Sequence, residues 1–391
     1  MHKILTLNKI AEEGLAVLPA DAYETGPEVK NPEAVILRSF KMHDMDLPVS
    51  LLAIGRAGSG VNNIPVELCS KKGIVIFNTP GANANAVKEL ALAGLLLASR
   101  DIAGGIAYAL TLKGKGKDVP GLIEKNKNQF AGAEIKDKTL GVVGLGKIGV
   151  MIANSAYDLG MKVIGCDPFI SIESAWGLSR NVCRATQLDK LLVESDYISL
   201  HMPLNDSTRG LINAEKFSRM KKGVKLLNFS RGEIVNADDL AEALKLGKVS
   251  RYVTDFPDAQ VLDMENVIAI PHLGASTGEA ETNCAVMAAS ELRDFIENGN
   301  IKNSVNYPDC ELEPNADFRM LVMNKNIPNM VGQISSILAK DGINIVEMLN
   351  KSKGDYAYCI IDLAQKPGAQ IIEDIHKIDG VIKTRIIQIK K

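Results

Sequence analysis

Lys138–Asp167, KTLGVVGLGKIGVMIANSAYDLGMKVIGCD, is the stretch whose reading decides the fold. Thr139–Val143 is an apolar run with the length of a buried parallel strand. Gly144, Gly146 and Gly149 follow at GxGxxG spacing, and an apolar helical periodicity continues through Leu159 until Gly160 stops it. Met161–Cys166 is a second strand, ending on Asp167. Strand, glycine turn, helix and a second strand closed by an acid are the parts of a dinucleotide site. Gly144 permits the tight turn, Gly146 lets the backbone approach a pyrophosphate, and Gly149 lets helix and strand pack closely. The helix N-terminus offers unpaired N–H groups and a positive dipole end to the phosphates. Asp167 is placed to accept hydrogen bonds from ribose hydroxyls and repels a 2′-phosphate, which favours NAD over NADP.

Working outward, 391 residues exceed one ordinary core, so two or three domains are expected. A hydrophobic content of 46% with 24% charged residues is ordinary for a globular chain. A net charge of -2 gives no electrostatic reason to expect nucleic acid or an anionic membrane as partner. The six cysteines lack CxxC pairs and nearby histidines, so they read as reduced residues, and no metal site is expected. The opening MHKILTLNKI has no long apolar core, so no signal peptide and a cytoplasmic location are expected. Leu90–Ser99, bracketed by charges, is too short for a bilayer of about 30 Å and reads as a core helix.

Before the glycine turn, Lys3–Leu7, Ala34–Arg38, Leu51–Ile54 and Ile74–Phe77 have strand length, with helical patterns at Ala11–Leu18 and Pro65–Lys72 between them. Their ends carry Arg38-Ser39, RAGSG at 56–60 and NTPGAN at 78–83, groups suited to a carboxylate or phosphate. An Ala/Leu-rich helix is expected from about Asn85 to Leu112. After Asp167, the strands Tyr197–Leu200, Val224–Asn228, Tyr252–Thr254 and Val267–Ile270 end on His201-Met202-Pro203, Phe229-Ser230-Arg231, Asp255 and Pro271-His272. Ser276 and Glu279 resemble a capping box opening a helix to about Asn298. From residue 317 the order is strand, helix, strand, strand, helix, strand, a ferredoxin-like βαββαβ pattern. The fold expected is therefore α/β: two doubly wound parallel-sheet domains, Rossmann- or flavodoxin-like, plus a C-terminal ferredoxin-like domain. The expected boundaries are 1–88 with 284–305 for substrate, 89–283 for NAD, 306–316 as a linker and 317–391 for regulation.

Arginine supplies a fixed fork of donors for a 2-keto carboxylate, and histidine can take a hydroxyl proton as hydride leaves. Arg231 and His272 sit at strand ends of the cofactor half and are the candidates for those roles. Of the other histidines, 2, 43, 201 and 376, only His201 ends a strand of the same sheet.

The order GLGKIG, Asp167, HMPLNDSTRGLIN, NFSRGEIV, PHLGAST resembles the D-2-hydroxyacid dehydrogenases, and the C-terminal domain resembles an ACT domain. The resemblance covers nearly the whole length, without the extra domain that longer members carry before the ACT domain. It implies NAD as cofactor, held by Gly144, Leu145, Gly146, Lys147, Ile148, Gly149, Asp167, His201, Met202, Pro203, Thr208, Asn228, Phe229, Ser230, Asp255 and His272. It implies Arg231 and His272 as catalytic residues, and Arg38, Arg56, Ser59 and Asn83, with Arg231, on a small phosphorylated 2-hydroxy acid, 3-phospho-D-glycerate. Gln260 stands where the family has a glutamate paired with the histidine, with Asp258 as a possible substitute. L-Serine is the implied effector at Asn326 and Asn344, with Asn324 where some members have histidine and Asn329 where they have glycine. A homodimer or homotetramer through the cofactor and ACT domains is implied. A different reading, an NAD-sensing regulatory protein on the same fold, draws on Gln260 and the ACT domain. A dehydrogenase for another D-2-hydroxy acid is the third.

Overall fold

A computed structural model describes residues 1–389, which divide into two compact units: residues 1–82 with 278 onward, and residues 83–277. The first unit opens with β1 (His2–Leu7), β2 (Tyr23–Gly26), β3 (Ala34–Leu37), β4 (Ala53–Arg56) and β5 (Val75–Asn78). They form one parallel sheet in the order β2-β1-β3-β4-β5, the flavodoxin-like order. β3 is buried along its whole length, as an apolar run covered on both faces must be. The short β2 has only Tyr23 buried and no apolar run to announce it.

The second unit holds β6 (Thr139–Val143), β7 (Lys162–Cys166), β8 (Cys183–Arg184), β9 (Tyr197–Leu200), β10 (Val224–Asn228), β11 (Val249–Thr254) and β12 (Val267–Ala269). All pair in parallel, in the order β12-β11-β10-β9-β6-β7-β8. The order reverses between β6 and β9, and the crevice at such a switch point is where doubly wound sheets take ligands. The helix expected over 85–112 is two helices, Ala84–Ser99 and Ile102–Thr111, bent by 72°. Arg100 is extended, and the Asp101 carboxylate accepts from Gly104 N at 3.2 Å, opening a new helix. Apolar Ala/Leu-rich runs flank the break on both sides, and the expected helix runs across the Arg100-Asp101 pair that separates them. The first helix packs into the core, whereas the second buries no residue and exposes Ile106 and Leu110. Among the described residues no single helix is long and apolar enough to cross a membrane.

The helix Gly278–Asn298 lies on β4 of the first unit, where Gly55 leaves space for Leu292: a Cβ at Gly55 would fall 2.8 Å from that side chain. Residues 301–310 show little apolar periodicity, yet Ser304, Asn306, Tyr307 and Cys310 are buried. Asn306 accepts from Ile76 N at 2.9 Å and donates to Ile74 O at 2.9 Å, so side-chain amides fasten this strap to β5. The chain then forms β13 (Phe318–Lys325), β14 (Ile345–Lys353), β15 (Tyr356–Leu363) and β16 (Val381–Gln388), antiparallel in the order β14-β15-β13-β16. With helices Met330–Lys340 and Ala369–His376 this is the expected βαββαβ fold. One face of the sheet packs on those helices, and the other, through Leu321, Met323, Tyr358 and Ile360, joins the cluster containing Leu292 and Phe295.

Arg319 and Asp362, both fully buried, pair at 2.6 and 3.0 Å in that sheet. Arg319 also donates to Asn298 O and Leu312 O, and Asp362 accepts from Asn315 N, so the pair ties the sheet to the chain leading into it. Arg319→Ala strands a buried carboxylate and should cost about 3–5 kcal/mol in chemical denaturation, the double variant R319M/D362L costing less. A double variant at least as unstable as R319A would show that the bridge contributes through more than compensation of charge.

Candidate active site

The glycine turn is built as its spacing requires. Gly144 has φ +89°, and a Cβ there would fall 2.7 Å from the carbonyl oxygen of His201. A Cβ at Gly149 would run into the Gly144 carbonyl, whereas one at Gly146 would enter open space, on the side from which a phosphate can approach. Lys147 and Ile148 form the first turn of helix Lys147–Asp158, with Ile148 packed on the core and Leu145 buried beside it. Asp167 stands at the end of β7 and accepts from Leu145 N and Phe169 N, each at 2.8 Å. Those two bonds fix the carboxylate beside the turn and leave lone pairs for ribose hydroxyls.

Across the switch point, His201 N donates to Val143 O at 2.7 Å, and its Nε2 lies 2.7 Å from Ser199 Oγ. Loss of solvent at the sheet end pushes the imidazole down to about 3, so His201 is a neutral wall there. Met202 packs on the adjoining core, and Pro203 O accepts from Thr208 Oγ1 at 2.7 Å, closing a surface turn.

The end of β10 is organised by Asn228, which is fully buried. Its Nδ2 donates to Arg231 O at 2.9 Å and to the Tyr252 hydroxyl at 3.1 Å, while its Oδ1 accepts from Ser230 N at 3.2 Å. Ser230 Oγ donates to Leu200 O at 2.6 Å. Phe229 instead points into the core, filling the space left by Gly94. Arg231 Nη1 donates to Ser230 O at 2.7 Å, and its guanidinium carbon stands 5.3 Å from the Phe256 ring centroid. The Phe256 ring lies 4.3 Å from that of His272, centroid to centroid, so Arg231 and His272 both neighbour this ring.

Asp255, 1% exposed, accepts from Gly274 N at 3.2 Å, and its Oδ1 is buried with no partner. Burial pushes the Asp255 carboxyl above the usual carboxylate range, opposed by nearby His272 and Arg231. Gln260 is exposed and donates to Asp238 at 2.7 Å, not to His272. Asp258 caps the short helix Ala259–Leu262 through Val261 N at 2.8 Å. Phe256 was absent from the residues expected from sequence, and its only signal there was its place directly after Asp255 at a strand end.

In the first unit, Arg56 Nε donates to Arg38 O at 3.1 Å. Gly58, at φ +147°, leaves room for the Arg56 guanidinium, which any Cβ there would strike. Ser59 O accepts from Asn78 Nδ2 at 2.6 Å. Arg38 pairs with Glu281 at 2.6 Å in a half-exposed bridge. In the second unit, Asn83 opens helix Ala84–Ser99 with its Oδ1 buried and unpartnered. In the ferredoxin-like domain, Asn324 is buried and donates to Lys325 O, while Asn326 donates to Gly354 O and exposed Asn344 accepts from Ala364 N. Asn329 is left-handed, at φ 66°. Among the described residues no group of three or more His, Cys, Asp or Glu could hold a metal, and the cysteines are free.

Residues 92–274 match the sequence model for the NAD binding domain of the D-isomer specific 2-hydroxyacid dehydrogenases. Over that stretch the chain is similar to that family. Among curated relatives, D-3-phosphoglycerate dehydrogenase of Archaeoglobus fulgidus is 34% identical over 330 residues, 79% of this chain and 60% of that protein. The protein of the same name from Synechocystis is 36% identical over 327 residues, 79% of this chain and 56% of that one. The chain therefore spans about 60% or less of the length of these relatives. Among solved structures, NAD+-bound 3-phosphoglycerate dehydrogenase of Entamoeba histolytica is 27% identical with a TM-score of 0.61, over 78% of this chain and 98% of that one.

The crevice at the glycine turn fits NAD. The turn offers backbone N–H groups and an open side at Gly146, Asp167 faces that turn, and Asp255 keeps a buried oxygen that a carboxamide N–H would satisfy. Asp167→Ala should narrow the preference for NAD over NADP, read as the ratio of dissociation constants by calorimetry. Equal affinity for both in the unsubstituted protein would contradict the assignment of that role to Asp167.

Proposed function

We propose that the chain oxidises 3-phospho-D-glycerate to 3-phosphohydroxypyruvate with NAD, the first step of the phosphorylated route to L-serine. The observation that carries this reading is that Arg231 and His272 both neighbour Phe256 and Asp255 at the carboxyl ends of β10, β11 and β12, on the sheet that carries the glycine turn. The names and similarity of the relatives support the choice of substrate.

NAD, when bound, supplies the acceptor for the hydride from C2 of the hydroxy acid. Arg231 presents its guanidinium to the substrate carboxylate and to the oxygen that becomes the carbonyl. The imidazole of His272 takes the hydroxyl proton as the carbon–oxygen double bond forms, and returns it in the reverse direction. Asp255 holds the carboxamide that orients the cofactor face. Arg38 and Arg56, with Ser59 and Asn83, take the phosphate. His201 is unsuited to replace His272, because its imidazole stays neutral at the sheet end.

L-Serine is the proposed effector of the C-terminal domain, at Asn324, Asn326 and Asn344. Assembly as a homodimer or homotetramer is supported by the helix Ile102–Thr111, which buries nothing and exposes Ile106 and Leu110. The NAD-sensing alternative is favoured by one observation, that Gln260 bonds Asp238 instead of serving His272.

NAD reduction with 3-phosphoglycerate, set beside glycerate, D-lactate and 4-phosphoerythronate, separates these readings. Turnover with 3-phosphoglycerate ahead of the others is expected; none with any of the four would favour the sensor. Arg56→Ala should raise KM for 3-phosphoglycerate far more than for glycerate, by the equivalent of about 1.5–3 kcal/mol for a charge-assisted contact. An equal loss for both would take Arg56 off the phosphate.

A further inference from the structure

His272 is the residue on which the proposed reaction turns, and neither Gln260 nor Asp258 is bonded to it. Gln260 is bonded to Asp238 and Asp258 caps Val261 N, while Asp255, beside His272, accepts from Gly274 N through Oδ2 and keeps Oδ1 without a partner. What packs on the imidazole is the ring of Phe256, at a centroid distance of 4.3 Å and a tilt of 47°. The same ring carries the Arg231 guanidinium at 5.3 Å, within the range where a cation is drawn to an aromatic face. Phe256 is itself held on three sides. Its N–H donates to Thr254 Oγ1 at 3.1 Å, and Pro257 restricts its backbone to extended conformations. Gly232, in the loop that presents Arg231, lies so close that a Cβ there would fall 3.3 Å from the Phe256 carbonyl oxygen.

We propose that Phe256 is a positioning residue: one ring, on a backbone held by Thr254 and closely approached by Gly232, sets both the Arg231 guanidinium and the His272 imidazole for the substrate. The claim rests on the proposed dehydrogenase reaction and extends it. A π-face also favours the imidazolium that forms when His272 takes the hydroxyl proton, which is a service the family's glutamate would give by charge. Nothing is transferred to or from the ring. It acts on the geometry and electrostatics of the two groups that lean on it, so an aliphatic side chain of similar bulk fills the space without doing the work.

The test compares F256L and F256Y with the unsubstituted full-length chain in NAD reduction by 3-phosphoglycerate, with NAD affinity and the His272 ring-proton resonances measured alongside. F256L should lower kcat by about 10- to 100-fold, the scale of a misplaced reacting group, while the NAD dissociation constant stays within about twofold. F256Y keeps the ring and should restore most of kcat. The His272 ring protons, displaced upfield by the aromatic current in the unsubstituted chain, should lose that displacement in F256L and keep it in F256Y. Unchanged kcat in F256L, an equal loss in F256Y, or a matching loss of NAD affinity would each overturn the assignment. No turnover by the unsubstituted chain would instead remove the reaction itself, and the positioning role with it, leaving only the packing that the resonances report.

Discussion

The buried amide of Asn228 is the interaction on which the reacting end of the second sheet depends. One side chain, wholly out of water, bonds the loop that presents Arg231, the N–H of Ser230 and the hydroxyl of Tyr252 on the neighbouring strand. In such a place a donor or acceptor left unpaired costs about 1–3 kcal/mol, so the loop has one arrangement in which all three are met. That arrangement turns Ser230 back to Leu200, and the Arg231 guanidinium out towards Phe256. The strand ends β9, β10 and β11 are thereby joined by hydrogen bonds among the very residues that face the cofactor crevice. A parallel sheet gathers these ends on one edge; Asn228 decides how they sit there.

The C-terminal domain is joined to the first parallel sheet by a comparable device of larger scale. On the side of its sheet opposite its helices, Leu321, Met323, Tyr358 and Ile360 continue a core that includes Leu292 and Phe295. Arg319 and Asp362 then connect β13 and β15 to the end of helix Gly278–Asn298 and to the strap after it. Tyr358 and Lys383 donate across the same contact, to Gly299 O and Leu51 O. The helix that these bonds reach lies on β4, the strand whose end carries Arg56.

The glycine turn was legible in sequence because each of its parts is dictated locally. A φ of +89° at Gly144 admits little but glycine, and a strand buried on both faces is an unbroken apolar run. The ferredoxin-like order was legible for the same reason, its turns falling at Gly342, Gly354 and Gly380, all with positive φ. Elements set by one hydrogen bond were not. The break at Asp101 lies between two Ala/Leu-rich runs that read as one helix, and the burial of Asn306 follows from amide contacts beside β5 that no periodicity signals. At the site, Arg231 and His272 stand out by residue type at strand ends, but the ring between their loops does not. Phe256 reads as one more apolar residue until the ends of β10 and β11 are brought together. Gln260 likewise carried a family expectation that its bond to Asp238 does not meet.

The central claim is that this sheet edge passes hydride directly between a hydroxy acid and NAD. The most direct measurement is to supply 3-phosphoglycerate deuterated at C2 and follow the label by mass spectrometry of the reduced cofactor. Deuterium recovered in the nicotinamide ring, with none lost to water, is the expected result. Label released to solvent, or a cofactor that binds and is never reduced, would contradict it.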